Sequence, residues 1–451
     1  MRRRQSIDWM LFGFVSLVFV LGNPSIGAAQ YGSNPFGLGN PSIGTAQFGT
    51  AAQPGGIQFH PYITVSEEYN NNILTTSRNK VDDFITNVEG GLNFSTVQKN
   101  YGIDLNYQMG YVFYAKHHDL NFLTIGPSSL NAWYALDPNL TFRVTDYIQR
   151  GNQAKEDIYN ASGPNQYYLS TARGEPAIYT RNVFSPSMEY RFGKEDVFSI
   201  LYRNNYYNNE SRRFEDSEEN TISPTLNYWF DIHNGVSLNY YFTYYTYQRS
   251  PDQFTNGVTP RYTYRIDPRT SIFGEFHFEN QNFKSPGVDY NVYNPSIGIQ
   301  YQFSPTLSGT AQVGYYWQVP VQGGKEQGPT FNVGLTQRTE KTTYSLSFVG
   351  GYTEDYGTAQ NLGFTQTYTV YGTVQHQLTQ KLSVGLTGSV GRDKYSSNQK
   401  DWVWGIWGNA SYQLLKWLSF SLQLNYIGDN SNRSNSDYTQ FRAILSLTAR
   451  L

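Results

Sequence analysis

The stretch Tyr101-Gly102-Ile103-Asp104-Leu105-Asn106-Tyr107-Gln108-Met109-Gly110-Tyr111-Val112-Phe113-Tyr114-Ala115 sorts its side chains by parity. The odd positions are apolar or aromatic throughout, whereas Gly102, Asp104, Asn106, Gln108 and Gly110 are small or polar. A period of two puts alternate side chains on opposite faces of a β-strand. The run exceeds the ordinary strand length of about 5 to 6 residues. A strand tilted across a hydrocarbon core of about 30 Å needs about 9 to 11 residues and shows lipid every second side chain. The stretch therefore reads as a membrane-crossing strand with an odd face in lipid and an even face in water.

The same pattern recurs on both sides of it. From Ile57 onward about twenty such segments can be counted, with about 18 and 22 as bounds. Their connections alternate. Short ones carry turn residues, as at Val97 to Asn100, Asp137-Pro138-Asn139, His233-Asn234-Gly235, Asp267-Pro268-Arg269 and Ser304-Pro305-Thr306. Long, polar ones separate them, as at Ser66 to Asp82, Gln149 to Pro176, Asn208 to Asn220 and Arg249 to Asn256. Outer-membrane barrels keep short turns on the periplasmic side and long loops outside. The expected fold is all-β, a transmembrane antiparallel up-and-down β-barrel, and an even strand number returns both termini to the periplasm. A soluble β-helix or sandwich does not account for the alternation and leaves open edges that closure removes.

Composition agrees. Aromatics make up 17% of the 451 residues and charged residues only 15%, against about 25% in a soluble domain. A mean hydropathy of −0.54 fits a barrel, whose strands average apolar and polar faces. Residues 1–29 have the form of a secretory signal: Arg2-Arg3-Arg4, an apolar run from Trp9 to Leu21, and Gly27-Ala28-Ala29 before Gln30. Residues 30–55 read as a disordered Gly/Pro/Gln-rich linker, in which LGNPSIGTAQFG at 38–49 repeats LGNPSIGAAQYG at 21–32. Residues 56–451 are the barrel. The absence of cysteine excludes disulfides, thiolate metal sites and covalent haem, and a net charge of −2 gives no nucleic-acid footprint.

If the apolar face meets lipid, aromatics should form girdles near the strand ends. Tyr111, Phe113, Tyr244, Tyr315, Trp317, Trp402, Trp404 and Tyr426 are placed for this. The opposite register assigns a lumen rich in Asn, Gln, Ser, Thr and Gly. Arg143, Arg181, Arg191, Arg203, Arg261, Arg265, Arg338, Arg442 and Arg450 fall on it, opposed by Asp104, Glu189, Glu275 and Glu279 only. These charges are either paired structural groups or an electropositive wall that draws in anions. Tyr241, Tyr245 and Tyr247 share that face beside Asn239, and a Tyr/Asn/Arg wall suits sugar rings.

Signals for chemistry are poor. His117-His118 lacks a third ligand nearby, and Glu275, His277 and Glu279 read better as a polar ladder than as a catalytic set. No nucleophile elbow, phosphate loop or zinc-protease motif is present, so no enzyme, cofactor or metal is expected.

The first hairpin carries more than periodicity. Ser66-Glu67-Glu68-Tyr69-Asn70-Asn71-Asn72-Ile73, followed by Asp82-Asp83-Phe84-Ile85-Thr86-Asn87-Val88 and Gly91-Leu92, resembles the opening of the family described as putative β-barrel porin 2. The resemblance implies an outer-membrane protein linked to exopolysaccharide or capsule production, and supplies no catalytic residues. Barrel proteins commonly end in an aromatic residue, whereas this chain ends Ala449-Arg450-Leu451. The expectation is a porin-like channel in the cell outer membrane for passive export of an anionic exopolysaccharide. Its partners would be outer-membrane lipid and lipopolysaccharide, the polymer and periplasmic export proteins. A general small-solute diffusion porin is the first alternative. The second is a structural or adhesive surface barrel with a plugged lumen, for which Gln149 to Pro176 is the plug candidate.

Overall fold

The computed structural model describes residues 56–152, 178–211, 214–285, 287–355, 363–434 and 436–451. The signal and linker expectations, and most of Gln149 to Pro176, lie outside these residues.

Twenty strands follow one another along the chain: β1 (Ile57–Asn70), β2 (Asp83–Val97), β3 (Tyr101–Tyr114), β4 (Phe122–Ala135), β5 (Leu140–Asn152), β6 (Ile178–Arg191) and β7 (Val197–Asn209), then β8 (Ser217–Trp229), β9 (Asn234–Tyr247), β10 (Gln253–Asp267), β11 (Thr270–Phe283), β12 (Tyr290–Ser304), β13 (Leu307–Pro320) and β14 (Glu326–Arg338), and finally β15 (Thr342–Asp355), β16 (Gly363–Gln377), β17 (Leu382–Tyr395), β18 (Lys400–Leu415), β19 (Leu418–Ser431) and β20 (Tyr438–Arg450). Each pairs antiparallel with the next. β20 returns to β1 from Tyr62↔Arg450 to Asn70↔Arg442, so the sheet closes on itself.

The turn end behaves as its residues dictate. Asp137 Oδ1 accepts the amides of Asn139 and Leu140 at 2.7 and 3.0 Å, and Asp231 Oδ1 those of His233 and Asn234 at 2.7 and 2.8 Å. Ser304 Oγ and Thr379 Oγ1 play the same part in the β12–β13 and β16–β17 turns. Such side-chain oxygens replace the missing backbone partners of a tight turn.

The loop end departs from expectation. Polar stretches read as loops are strand: β1 runs on through Ser66–Asn70, β8 begins at Ser217, β10 begins at Gln253, and β17 and β19 continue to Tyr395 and Ser431. The connections left between them are correspondingly short. The outward faces expose Phe59, Ile63, Met109, Phe113, Ile297, Val313, Leu346 and Trp402, while buried side chains gather inside the barrel near its loop end. Two apolar clusters lie there. The β1–β2 connection sets Ile73 against Ile85, Val112, Tyr114 and Phe122, and a second cluster joins Tyr290, Val292, Tyr316 and Phe364. The lumen expected to be rich in Asn, Gln, Ser, Thr and Gly thus also carries apolar clusters at this end.

Candidate functional site: the lumen and its inward hairpin

The parity of exposure assigns the lumen wall. Outward Tyr202, Tyr240, Tyr262 and Phe276 are exposed, which turns Arg203, Tyr241, Arg261, Glu275, His277 and Glu279 inward. The arginines mostly meet carboxylates. Arg203 binds Glu219, Arg191 binds Glu189 at 2.8 Å, Arg265 binds Glu195 at 2.8 Å, and Arg261 approaches Glu275 at 3.9 Å. Arg442 grips Glu68 with two bonds of 2.8 and 2.9 Å in a fully buried position at the β1–β20 seam. Arg261 also lies over Phe273 at 3.5 Å and Arg265 over Trp229 at 3.9 Å. Arg181 Nε donates to Asn205 at 3.0 Å, Arg143 reaches Asn131 at 3.3 Å, and Arg338 is exposed near the turn rim.

The count of opposing carboxylates needs correction. Glu68, Glu219, Asp393, Asp401 and Asp429 are buried as well, all on the strand extensions that looked like loop. Beyond the bilayer both faces of a strand meet water or other polar groups, so the period of two fades there.

Glu275, His277 and Glu279 do form a ladder on the inner face of β11. Thr259 Oγ1 meets His277 Nδ1 at 2.8 Å, His277 Nε2 stands 3.6 Å from Glu279, and Tyr241 donates to Glu279. Tyr241 stacks on His277 and Tyr245 on Tyr247, with centroids 6.2 and 6.1 Å apart. His117 Nδ1 pairs with the buried Asp83 at 2.7 Å, fixing the β3–β4 loop. Among the described residues no group of three or more His, Cys, Asp or Glu side chains is placed to hold a metal.

Several inner-wall aromatics sit close against glycines. A Cβ on Gly102 would stand 2.3 Å from Trp133, one on Gly91 2.2 Å from Tyr62, and one on Gly257 2.1 Å from Tyr241. Only glycine leaves room for a ring against the backbone of the neighbouring strand. Tyr62 then offers its hydroxyl to Gln108 and Asn106 at 2.8 and 3.3 Å.

Nothing in the periodicity marks what happens at β15 and β16. Pairing of β14 with β15 ends at Phe331↔Gly350, although both strands continue. Beyond that point the outward-parity side chains of the hairpin touch the inner face of the wall. Tyr352 packs on Tyr316 with centroids 4.8 Å apart, Phe364 on Tyr290 at 6.0 Å, and Tyr290 donates to Glu354 at 2.8 Å. Gln366 Nε2 reaches Tyr316 Oη at 2.5 Å and the Gln327 carbonyl of β14 at 3.3 Å. The upper end of the hairpin has slipped inside the barrel, and Lys394 of β17 meets Glu326 of β14 at 3.2 Å across the gap.

Residues 243–451 match the family model described as putative beta-barrel porin 2. The match bears out the family resemblance, although it lies downstream of Ser66 to Leu92, on which that resemblance rested. Among solved structures, a ferric enterobactin receptor (PfeA) mutant from Pseudomonas aeruginosa is similar with a TM-score of 0.50 and 9% identity, over 88% of this chain and 81% of that one. The siderophore receptor PirA from Acinetobacter baumannii follows at 0.49 and 9%, over 87% and 80%. The outer membrane protein opdK from Pseudomonas aeruginosa stands at 0.43 and 7%, over 87% and 99%. The likeness to the enterobactin receptor shows the fold alone. No curated protein matches the chain. The porin-family match and the closed barrel together make this an outer-membrane porin-like barrel.

Proposed function

We propose that the barrel is a passive outer-membrane channel through which a hydroxyl-rich polymer, an exopolysaccharide, leaves the cell. One observation carries the reading: aromatic rings sit close against glycines on the inner wall, and one of them, Tyr62 against Gly91, has the amide groups of Gln108 and Asn106 at its hydroxyl. Sugar rings stack their C–H faces on aromatics and hydrogen-bond through hydroxyls, and such a wall offers many weak, exchangeable contacts. Arginines paired with carboxylates favour a neutral or weakly charged polymer over a strongly anionic one. In this reading the short turns and both termini face the periplasm and the export proteins there, while the exposed apolar band meets lipid and lipopolysaccharide. No covalent chemistry is involved.

Oligosaccharides of increasing length, added to the refolded channel in a planar bilayer, test this. The reading expects current interruptions that lengthen with chain length and shorten in Trp133→Ala. A steady current indifferent to every saccharide would leave a small-solute diffusion porin, which the narrowing by the β15–β16 hairpin also suits. A folded but silent barrel would overturn both and point to the structural or adhesive reading.

A further inference from the structure

We infer that the outward face of β5–β8 is the contact surface for a second copy of this chain, joined to it across a two-fold axis along the membrane normal. The inference goes beyond the channel reading and does not depend on which solute passes.

Depth in the bilayer can be counted from the turn rim, because every strand either leaves that rim or returns to it. Six residues from the rim, the outward positions of β11, β13, β15 and β19 are Phe276, Val313, Phe348 and Leu424, all exposed. At that depth β5 carries Asp146. Exposed Phe142 fixes its outward parity, and Phe142, Val144 and Ile148 flank it on the same side, so the carboxylate lies within the apolar band and not above it. Nine residues from the rim, β2, β10, β18 and β20 present Val88, Val258, Ile406 and Phe441, whereas β6 and β8 present Asn182 and Asn220. Both share the parity of exposed neighbours, Phe184 and Ile222. Asn204 of β7, in phase with exposed Tyr202, completes a polar strip across four consecutive strands.

Lipid cannot answer such a strip. Hydrocarbon offers neither donor nor acceptor, and charge on the lipid face is disfavoured most at mid-depth. Asn182 Nδ2 donates to Asp146 Oδ1 at 2.8 Å, and one side-chain amide leaves much of a carboxylate's acceptor capacity unused. Lipopolysaccharide headgroups lie at the membrane surface, away from this depth. The neighbour that fits is a protein wall with polar groups of its own.

The strip is complementary to itself. Acceptor capacity gathers on β5–β6, at the Asp146 carboxylate. Amides gather on β7–β8, where Asn204 Nδ2 donates to Asn220 Oδ1 at 3.0 Å and to Glu218 Oε1 at 2.9 Å. Asn220 Nδ2 spends one of its two hydrogens on Glu218, at 3.3 Å, and keeps the other to give. A two-fold axis between β6 and β7 sets β5–β6 of one copy against β7–β8 of the other, at the same level and twice over. The carboxylate of each copy then meets the amides of the other.

The chain has no cysteine, so a single introduced thiol reports one contact. Phe184→Cys places it near the axis, and Leu386→Cys places it on the exposed face of β17, on the far wall. In outer membranes treated with a short bis-maleimide, Phe184→Cys should migrate at twice the chain mass and Leu386→Cys should stay single. Extracted in mild detergent, the unaltered protein should show the mass of two chains by light scattering. Asp146→Leu with Asn182→Leu makes the β5–β6 half apolar and suited to lipid, and should halve that mass while heat-modified gel mobility shows a folded barrel. Asn204→Leu with Asn220→Leu does the same from the other half. A single-chain particle with Phe184→Cys unlinked, a link only to a different protein, or folded apolar variants that keep the two-chain mass would each overturn the inference. Neither measurement reads conductance, so its failure would leave the channel reading standing.

Discussion

Arg442 and Glu68 show what a barrel seam demands of single residues. Both are buried where the last strand meets the first, and the two-bond geometry compensates the loss of water around each charge. Arg442→Ala should lower stability by about 3 to 5 kcal/mol in urea unfolding, because Glu68 is left charged and buried. Exchanging both residues for glutamine should recover most of that loss. A double variant no more stable than the single one would show that the pair matters for something other than charge balance. The glycines under the rings make a second case. Gly257→Val would drive a methyl into Tyr241 and should cost about 1 to 3 kcal/mol, measured the same way. The inward orientation of Tyr241 was legible from parity, but its glycine partner was not, since pairing register across strands leaves no mark within either strand.

Among the elements, turns and membrane-crossing segments were the legible part. Alternation survives wherever one face meets lipid, and Asp, Pro, Asn and Gly mark the tight turns. Asp231 shows how such a turn responds to pH. The Asn234 side chain, and then the His233 and Asn234 amides, hold its carboxyl below the usual value of 3.8. A depressed carboxyl contributes stability that is complete above its unfolded pKa and is lost as pH falls through the folded one. Unfolding midpoints should therefore drop below about pH 4, and Asp231→Ala should show a shallower drop. An unchanged slope would mean the turn opens before the barrel does. The upper ends of β1, β8, β10, β17 and β19 were illegible because polar residues occupy both faces above the bilayer. The inward hairpin was illegible for a different reason: Tyr352, Phe364 and Tyr368 keep the parity of lipid-facing residues. Their destination depends on Gly351, and a single bend is invisible to periodicity.

For the whole molecule, strand number followed from counting and closure from the expected barrel, and the twenty strands with their β1–β20 pairing bear both out. Charge was the property that counting got wrong, since carboxylates on the strand extensions balance the arginines. A mixed wall should give weak ion selectivity. Reversal potentials under a salt gradient should stay close to zero, and a strongly anion-selective current would restore the electropositive reading. Conduction itself is the most direct test of the account. Single-channel recording of the refolded chain in a planar bilayer should show an open pore with little preference for either ion. A correctly folded barrel that passes no current at any voltage would contradict it.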